Sequence, residues 1–324
     1  MSHPADTYFL VADIGGTNTR VALSDGVDVL KSSIRRFRNA DYAGLDECLH
    51  EFIAAEAGVK AKAVCVDVAG PVRDGKARLT NLEWDISTDS LMAATGVARV
   101  ALLNDLQAQG YALDHIAQDD LICVRDGVPA DDNAAKLVVN VGTGFNATPV
   151  FSTGTGWLVA TSESGHANMP IRTDDDMRLC AYVEARHGFT AIDDILSGRG
   201  MVRIYSWLAS EDGVEASPTS AEIMAGCASR SDARAVETVR VFTRLLAMVT
   251  GNLALVQLPF GGIYMVGGLS SAILPFMKEF DFEGAFLDKG RFGAFLNSFP
   301  IHVVQDDYAA LKGCAAYLQS QINL

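Results

Sequence analysis

The chain alternates short apolar runs with polar turns before passing to longer stretches of helical spacing. Tyr8 to Ala12 predicts a buried strand, Asp13-Ile14-Gly15-Gly16-Thr17-Asn18 a six-residue polar turn, and Arg20 to Leu23 a second strand. Val29 to Phe37 reads as a third strand. Leu45, Cys48, Leu49, Phe52 and Ile53 fall at helical spacing, which predicts a helix over Asp41 to Ala57 stopped by Gly58. Ala61 to Ala69 is an apolar strand turned by Gly70-Pro71. Ser87 to Thr95 is a short helix with Ser87 or Thr88 as its cap. Val100 to Leu103 is a strand ending at Asn104-Asp105, and Leu106 to Leu113 starts a helix. This βββαβαβ order requires a mixed sheet with helices on its faces.

A second unit follows. Lys136 to Val141 is a strand, Gly142-Thr143-Gly144 a turn, Asn146 to Phe151 a strand and Trp157 to Thr161 a shorter one. Helices are predicted over Asp174 to His187, Met201 to Ala209, Thr219 to Ala228 and Asp232 to Gln257. In the last, Val236, Val239, Phe242, Leu246, Val249, Leu253 and Val256 form one apolar stripe. Ile263 to Val266 is a strand leading to Gly267-Gly268, and Ser270 begins a helix. Ile301 to Val304 is the last strand and Tyr308 to Gln319 the last helix. Strand, polar turn, strand thus occurs twice, at 8–23 and 136–151, an internal repeat of pattern and not of identity. The expectation is an α/β chain of two units, their boundary within the helix after Asp105, with ligands bound in a cleft.

Composition changes this picture little. The 324 residues are 49% hydrophobic and 20% charged, with a formal net charge of −14 and no Lys/Arg-rich run, which argues against nucleic-acid binding through a basic patch. A phosphate ligand would need local positive charge or a metal. The six cysteines are far apart and form no CxxC pair, so neither a zinc site nor a disulfide framework is indicated, and reduced thiols in the cytosol are expected. Met1 to Thr7 is polar and does not read as a signal peptide. Leu245 to Met277 has no charged residue, as a membrane span would, but Asn252, Gln257, Pro259 and Gly261-Gly262 interrupt it. It reads as the end of a buried helix, a turn and a buried strand.

Several segments carry candidate chemistry. In the turn at 13–18, glycines let the backbone approach a phosphate, successive N–H groups make an anion nest, and Asp13 could hold magnesium. A polar-tipped hairpin is the plain alternative. Asn104-Asp105 ends an apolar strand, where ligands of α/β folds collect, and a carboxylate there suits a general base. Helix capping would equally account for the pair. Glu163-Ser164-Gly165-His166 offers hydrogen-bonding groups to a polar ligand or is a surface turn; no second histidine stands at metal-ligand spacing. Gly70 to Ala77 nearly fits a GxxxxGK[ST] phosphate loop but has Ala77 in place of the hydroxyl, and reads as a β-turn at Asp74-Gly75. Gly267-Gly268 could seat a flat ring or simply make a tight strand–helix turn. Asp174-Asp175-Asp176 reads as a solvated face complementing a helix dipole.

Taken in order, LVADIGGTNTRVAL, TNLEW (80–84), LLND (102–105), GTG (142–144), ESGH (163–166), ILSGRG (195–200), TGNLAL (250–255) and VGGLS (266–270) resemble the bacterial glucokinase family nearly end to end. The resemblance implies a two-domain actin-like ATPase (ribonuclease H-like) fold, residues 1–112 with 303–324 and residues 113–302, with mixed sheets flanked by helices and a cleft between the domains. It implies transfer of a phosphoryl group from ATP, with Mg2+, to the glucose 6-hydroxyl, in the cytoplasm, by a homodimer with no nucleic-acid or membrane partner. Asp105 takes the place of the catalytic base. Asn81, Asn104, Asp105, Glu163, His166 and Asp193 take those of the sugar contacts. Asp13 (with Mg2+), Gly15, Gly16, Thr17, Asn18, Gly142, Thr143 and Gly144 match the phosphate loops, and Gly267 and Gly268 the adenosine platform. The zinc-binding cysteine cluster of the related repressor/open-reading-frame/kinase group is absent.

The chain departs from that pattern in three places. Asn140 and Asn146 replace glycines flanking the second phosphate loop, which makes the opening hairpin the firmer half of the phosphate clamp. Asp193 replaces a sugar-binding glutamate and reaches about 1.5 Å less, so water could bridge or another hexose could fit. Thr161-Ser162-Glu163 replaces Pro-Gly-Glu, so Glu163 could be held differently. The rival readings are a kinase of the same fold for another hexose and a catalytically weak sugar sensor.

Overall fold

A computed structural model describes residues 8–57, 59–79 and 83–322. The chain forms two compact units, one running up to Ala117 and resuming at Asp306, the other Gln118–Gln305.

In the first unit, strands β1 (Phe9–Ile14) and β2 (Asn18–Asp25) form an antiparallel hairpin. The polar turn is shorter than expected, because Asp13 pairs with Arg20 and Ile14 with Thr19 inside the ladder, leaving only Gly15, Gly16 and Thr17 outside it. The single strand expected over Val29 to Phe37 is broken into β3 (Asp28–Val29) and β4 (Arg35–Arg38) by a one-turn helix at Lys31–Ser33. The Ser33 hydroxyl causes the break: it accepts from the Leu23 amide at 2.9 Å and donates to the Leu30 carbonyl at 2.7 Å. Helix α1 (Leu45–Ala55) starts four residues later than its pattern suggested, since Asn39–Asp41 makes its own turn and Gly44 is extended; its expected stop, Gly58, lies outside the described residues.

Strand β5 (Ala63–Val68) leads to a small hairpin of β6 (Val72–Arg73) and β7 (Lys76–Arg78), joined by β8 (Asp85–Ser87). Asp74 and Gly75 both have positive φ at its tip, 51° and 68°, the tight-turn geometry expected in place of a phosphate loop. Ser87 caps helix α2 (Thr88–Thr95). Strand β9 (Val100–Asn104) runs into helix α3 (Asp105–Ala112).

Among the described residues the main sheet of this unit has six strands in the order β3-β2-β1-β5-β9, with β4 on β2. β1, β5 and β9 are parallel. Ile14 pairs with Val68, and Val68 with Asn104, so the carboxyl ends of three strands coincide. Alternate residues of these strands bury on opposite faces, which is why they read as unbroken apolar runs. Leu10, Ala12 and Ile14 pack with Leu49, Phe52 and Leu91; Phe9, Val11, Cys65 and Leu103 pack with Ala108 and, from the last helix, Leu311, Cys314 and Leu318.

The second unit adds strand β10 (Leu121–Arg125), which no apolar pattern announced. Its Arg125 is 9% exposed and donates to the carbonyls of Leu296 and Phe299 and to Asn297. Strands β11 (Lys136–Val141), β12 (Phe145–Ser152) and β13 (Trp157–Val159) precede helices α4 (Asp174–His187), α5 (Ile192–Ile195), α6 (Gly198–Glu211), α7 (Ser220–Ser229) and α8 (Ala233–Gln257). Strand β14 (Ile263–Val266), helices α9 (Gly268–Met277) and α10 (Phe282–Leu287) and strand β15 (Ile301–Val304) complete it. The sheet order is β10-β15-β14-β11-β12-β13.

Helix α8 is long and apolar enough to cross a membrane, yet it is the core helix of this unit, with Val239, Phe242, Leu245, Leu246 and Val249 all buried. Its expected stripe fails at one end: Val256 is 72% exposed, because the buried face has passed to Ala254 in the last turn. The Asp174–Asp176 run is not uniformly solvated either. Asp176 is 2% exposed, bonded to Arg244 and to the amides of Arg172 and Thr173; burial opposes its ionisation, but these donors hold its carboxyl below the ordinary range.

The last helix, α11 (Ala309–Ile322), returns to the first unit and lies on α3. Gly313 makes that approach possible, since a Cβ there would overlap the Ala108 carbonyl oxygen. Gly313→Ala must therefore push apart the helix that begins with Asp105. We expect it to lower unfolding stability by about 1–3 kcal/mol in urea titration and to reduce kcat as well.

Candidate active site

Three backbone contacts shape the turn at Gly15–Thr17. The Gly15 amide donates to the Asn18 carbonyl at 3.0 Å, and the buried Asn39 closes the other side: its Nδ2 donates to the Gly15 carbonyl at 2.8 Å and its backbone amide to the Thr17 carbonyl at 2.9 Å. The Asn39 Oδ1 accepts from the Thr19 hydroxyl at 2.8 Å. Asn39 lies outside the glycine-rich motif, so only the pairing of β4 with β2 reveals it. Neither Gly15 nor Gly16 has a positive φ. Their value here is the missing side chain, which leaves Gly16 and Thr17 exposed at the tip.

Asp13 lies below this turn, 20% exposed, with its Oδ2 3.2 Å from Arg20 Nη1. Burial raises its carboxyl above the ordinary range against the pull of Arg20. Beside it in the sheet stands Asp67, fully buried, which the motif reading did not single out. Its Oδ1 has no partner and its Oδ2 accepts from the Cys314 thiol at 3.3 Å. Burial pushes its carboxyl well up, with Cys314 and the charges of Asp13 and Asp105 adding to the effect.

Asn104 and Asp105 sit where the third parallel strand ends. The capping alternative holds for Asn104: it is the N-cap of α3, its Oδ1 accepting from the Leu106 amide at 3.0 Å, and it also ties Gly70 through Nδ2 at 2.9 Å. Asp105 Oδ1 accepts from the same Leu106 amide at 2.9 Å, which orients a half-buried carboxylate at the helix start. Asn81 lies outside the described residues.

In the second unit the Gly142–Gly144 turn joins β11 to β12. The Gly198 amide at the start of α6 donates to the Gly142 carbonyl at 2.9 Å. Asp193 Oδ1 accepts from the Phe145 amide at 2.6 Å, while its Oδ2 meets Arg199 at 3.1 Å. Asp193 therefore braces the turn. Gly267 has φ of 94°, and a Cβ there would lie 2.5 Å from both Asn140 Oδ1 and the Val141 carbonyl oxygen, so only glycine lets the second glycine turn close on the first.

Between these turns opens a cavity of about 660 Å³. The N-termini of α6, α7 and α9 border it through Gly198, Ser220 and Gly268; Thr143 and Arg199 add polar atoms, and Met224 and Leu269 an apolar wall. Helix N-termini present free N–H groups to anions. The α7 residues carried no motif and emerge only from tertiary placement.

Glu163 and His166 flank a one-turn helix, Ser164–His166, with their side chains exposed and His166 Nε2 3.7 Å from Glu163 Oε2. Gly165 packs so tightly on β12 that a Cβ would overlap the Phe145 carbonyl oxygen. Asn146 hydrogen-bonds to the same turn.

This set of turns has relatives. The glucokinase family model matches residues 10–321. A Rhizobium etli glucokinase is 31% identical over 323 residues, covering 99% of this chain and 94% of that one. Among solved structures, the glucokinase of an Antarctic psychrotroph superposes with a TM-score of 0.85 at 28% identity, covering 96% of this chain and 98% of that one. A Balamuthia mandrillaris glucokinase solved with glucose superposes with a TM-score of 0.80 at 22% identity, covering 97% and 93%, and shares the actin-like ATPase fold. The motifs, their placement in the fold and these likenesses together establish that the chain belongs to the glucokinase family of ATP-dependent hexose kinases.

Proposed function

We propose that the protein transfers the γ-phosphoryl group of Mg-ATP to the 6-hydroxyl of glucose, with Asp105 as catalytic base. The observation that carries this reading is the coincidence of strand ends in the first unit. Pairing of Ile14, Val68 and Asn104 puts a glycine-rich phosphate turn and an oriented carboxylate at the same edge of one sheet. Phosphoryl transfer asks for such positioning more than for covalent chemistry.

Asp105 accepts the proton of the 6-hydroxyl as its oxygen bonds to the γ-phosphorus, and the bond from that phosphorus to the β–γ bridging oxygen breaks to release ADP. Backbone amides of Gly15, Gly16, Thr17 and Asn18 and of Gly142, Thr143 and Gly144 hold phosphate oxygens. Gly267 and Gly268 carry the adenosine against the cavity wall of Met224 and Leu269. Asp13 would hold magnesium, since it offers a hard carboxylate oxygen beneath the glycine turn. Bound there, magnesium supplies neutralisation of phosphate charge.

Asn81, Asn104, Glu163 and His166 read the sugar hydroxyls. Asp193, already accepting from Phe145 and Arg199, contacts the sugar through water. Its commitment to the loop favours a second reading of specificity, a kinase of this fold for another hexose. The sensor alternative rested on Asn140 and Asn146, and Asn146 is bonded to the sugar turn rather than to the phosphate turn. The same reading makes the protein a cytoplasmic homodimer at the first step of glycolysis, without nucleic-acid or membrane partners.

Asp105→Asn keeps the shape and removes the base. It should lower kcat by about 10²–10⁴-fold in a coupled ATP assay while sugar binding by calorimetry persists; a near-normal kcat would overturn the assignment. Asn39→Ala keeps the backbone amide on Thr17 but frees the Gly15 carbonyl and the Thr19 hydroxyl; it should raise KM for ATP by about tenfold, at about 1–2 kcal/mol of lost interaction, with KM for glucose unchanged. Across a hexose panel followed by ADP release, glucose should show the highest kcat/KM, above mannose, glucosamine and fructose; another hexose in first place would favour the second reading.

A further inference from the structure

Asn146 has no role in the proposal above, yet it is the most heavily bonded polar side chain around the two turns of the second unit. Its Nδ2 donates to the Ser162 carbonyl at 2.6 Å. Its Oδ1 accepts from the Gly165 amide at 3.3 Å, the Ser164 hydroxyl at 3.1 Å and its neighbour Ala147's amide at 2.9 Å. The orientation of the carboxamide follows from these partners, because a backbone amide only donates and a carbonyl only accepts. Ser164 extends the clamp, its hydroxyl accepting from the Ala147 amide at 3.1 Å.

The turn held in this way carries Glu163 and His166, whose side chains are 56% and 72% exposed. Side chains so exposed are not fixed by packing, so their direction is set by the backbone that bears them and, for Glu163, by Asn146 itself, whose Nδ2 also donates to the Glu163 Oε2 at 3.5 Å. That backbone rests on β12 through Gly165, with no room for a Cβ, and through the carboxamide of Asn146. The residue before it, Phe145, belongs to the other partnership, donating its amide to Asp193. Adjacent residues of one strand therefore serve different turns.

We propose that Asn146 is a positioning residue for the sugar: its carboxamide clamps the 162–166 turn to β12, and it governs glucose affinity rather than nucleotide affinity. This rests on the reading of Glu163 and His166 as sugar contacts, so Glu163→Gln is measured alongside.

The test is steady-state kinetics of Asn146→Ala, Asn146→Gly and Glu163→Gln with both substrates varied, together with hydrogen–deuterium exchange of the substrate-free proteins. Loss of the hydrogen bonds to Ser162, Ser164 and Gly165 predicts a rise in KM for glucose of about five- to fiftyfold in both Asn146 variants. KM for ATP should stay within about twofold of its original value. Amide exchange should quicken over 162–166 and not in the Gly142–Gly144 turn. A rise in KM for ATP equal to that for glucose, or exchange unchanged over 162–166, would overturn the proposal. If Glu163→Gln raises KM for glucose and the Asn146 variants do not, the clamp alone is wrong. If Glu163→Gln leaves KM for glucose unchanged, the sugar reading of this turn fails and takes the clamp's role with it.

Discussion

The shared register of three parallel strands is the constraint on which the first unit's chemistry depends. Parallel pairing of β1, β5 and β9 brings Ile14, Val68 and Asn104 into one row. Whatever follows each strand must then emerge at the same edge: the glycine turn after β1, the Gly70 turn after β5, and Asn104-Asp105 after β9. Asn104 joins the last two by donating to the Gly70 carbonyl, and the Ala69 amide joins the first two by donating to the Ile14 carbonyl. A one-residue slip in any pairing would also turn the buried faces outward, so the register is enforced by the apolar core as well as by hydrogen bonds.

The same edge carries an electrostatic load. Asp13 and Asp67 are neighbours in the sheet, and Asp105 is close enough to raise the Asp67 carboxyl further. Three ionised carboxylates would repel one another there. Burial favours the neutral form of Asp67, while Arg20 pairs with Asp13. In a chain with a net charge of −14, this local arrangement limits the negative charge carried at the edge.

The second unit relies on close backbone approach instead. Its turns touch through groups that carry no side chain: Gly198 on the Gly142 carbonyl, Gly165 on Phe145, and Gly267 in the space left by Asn140 and Val141. Three helix N-termini reach one cavity because α6, α7 and α9 all begin beside these turns. Asp193 and Asn146 then brace them from one side each, so the two departures from the family pattern are structural supports of neighbouring turns.

The strands and helices with uninterrupted apolar patterns were readable from the chain, down to the limits of β11 and α4, because burial on a fixed period is a local property. The motif residues were readable too, since glycines, Asp105 and the Glu163–His166 turn announce themselves by type and order. Where one side chain decides the local path, the pattern misled: Ser33 breaks a strand, and Val256 leaves the buried face of α8. Asn39, Asp67, Arg125 and the α7 wall of the cavity were invisible, because each acquires its role from a partner distant in sequence. By itself the sequence determined the family, the order of elements and the candidate base. Only the tertiary structure decided which turns share an edge, which carboxylate is buried and what Asn146 holds, because register, burial and hydrogen-bond partnership are properties of the packed chain.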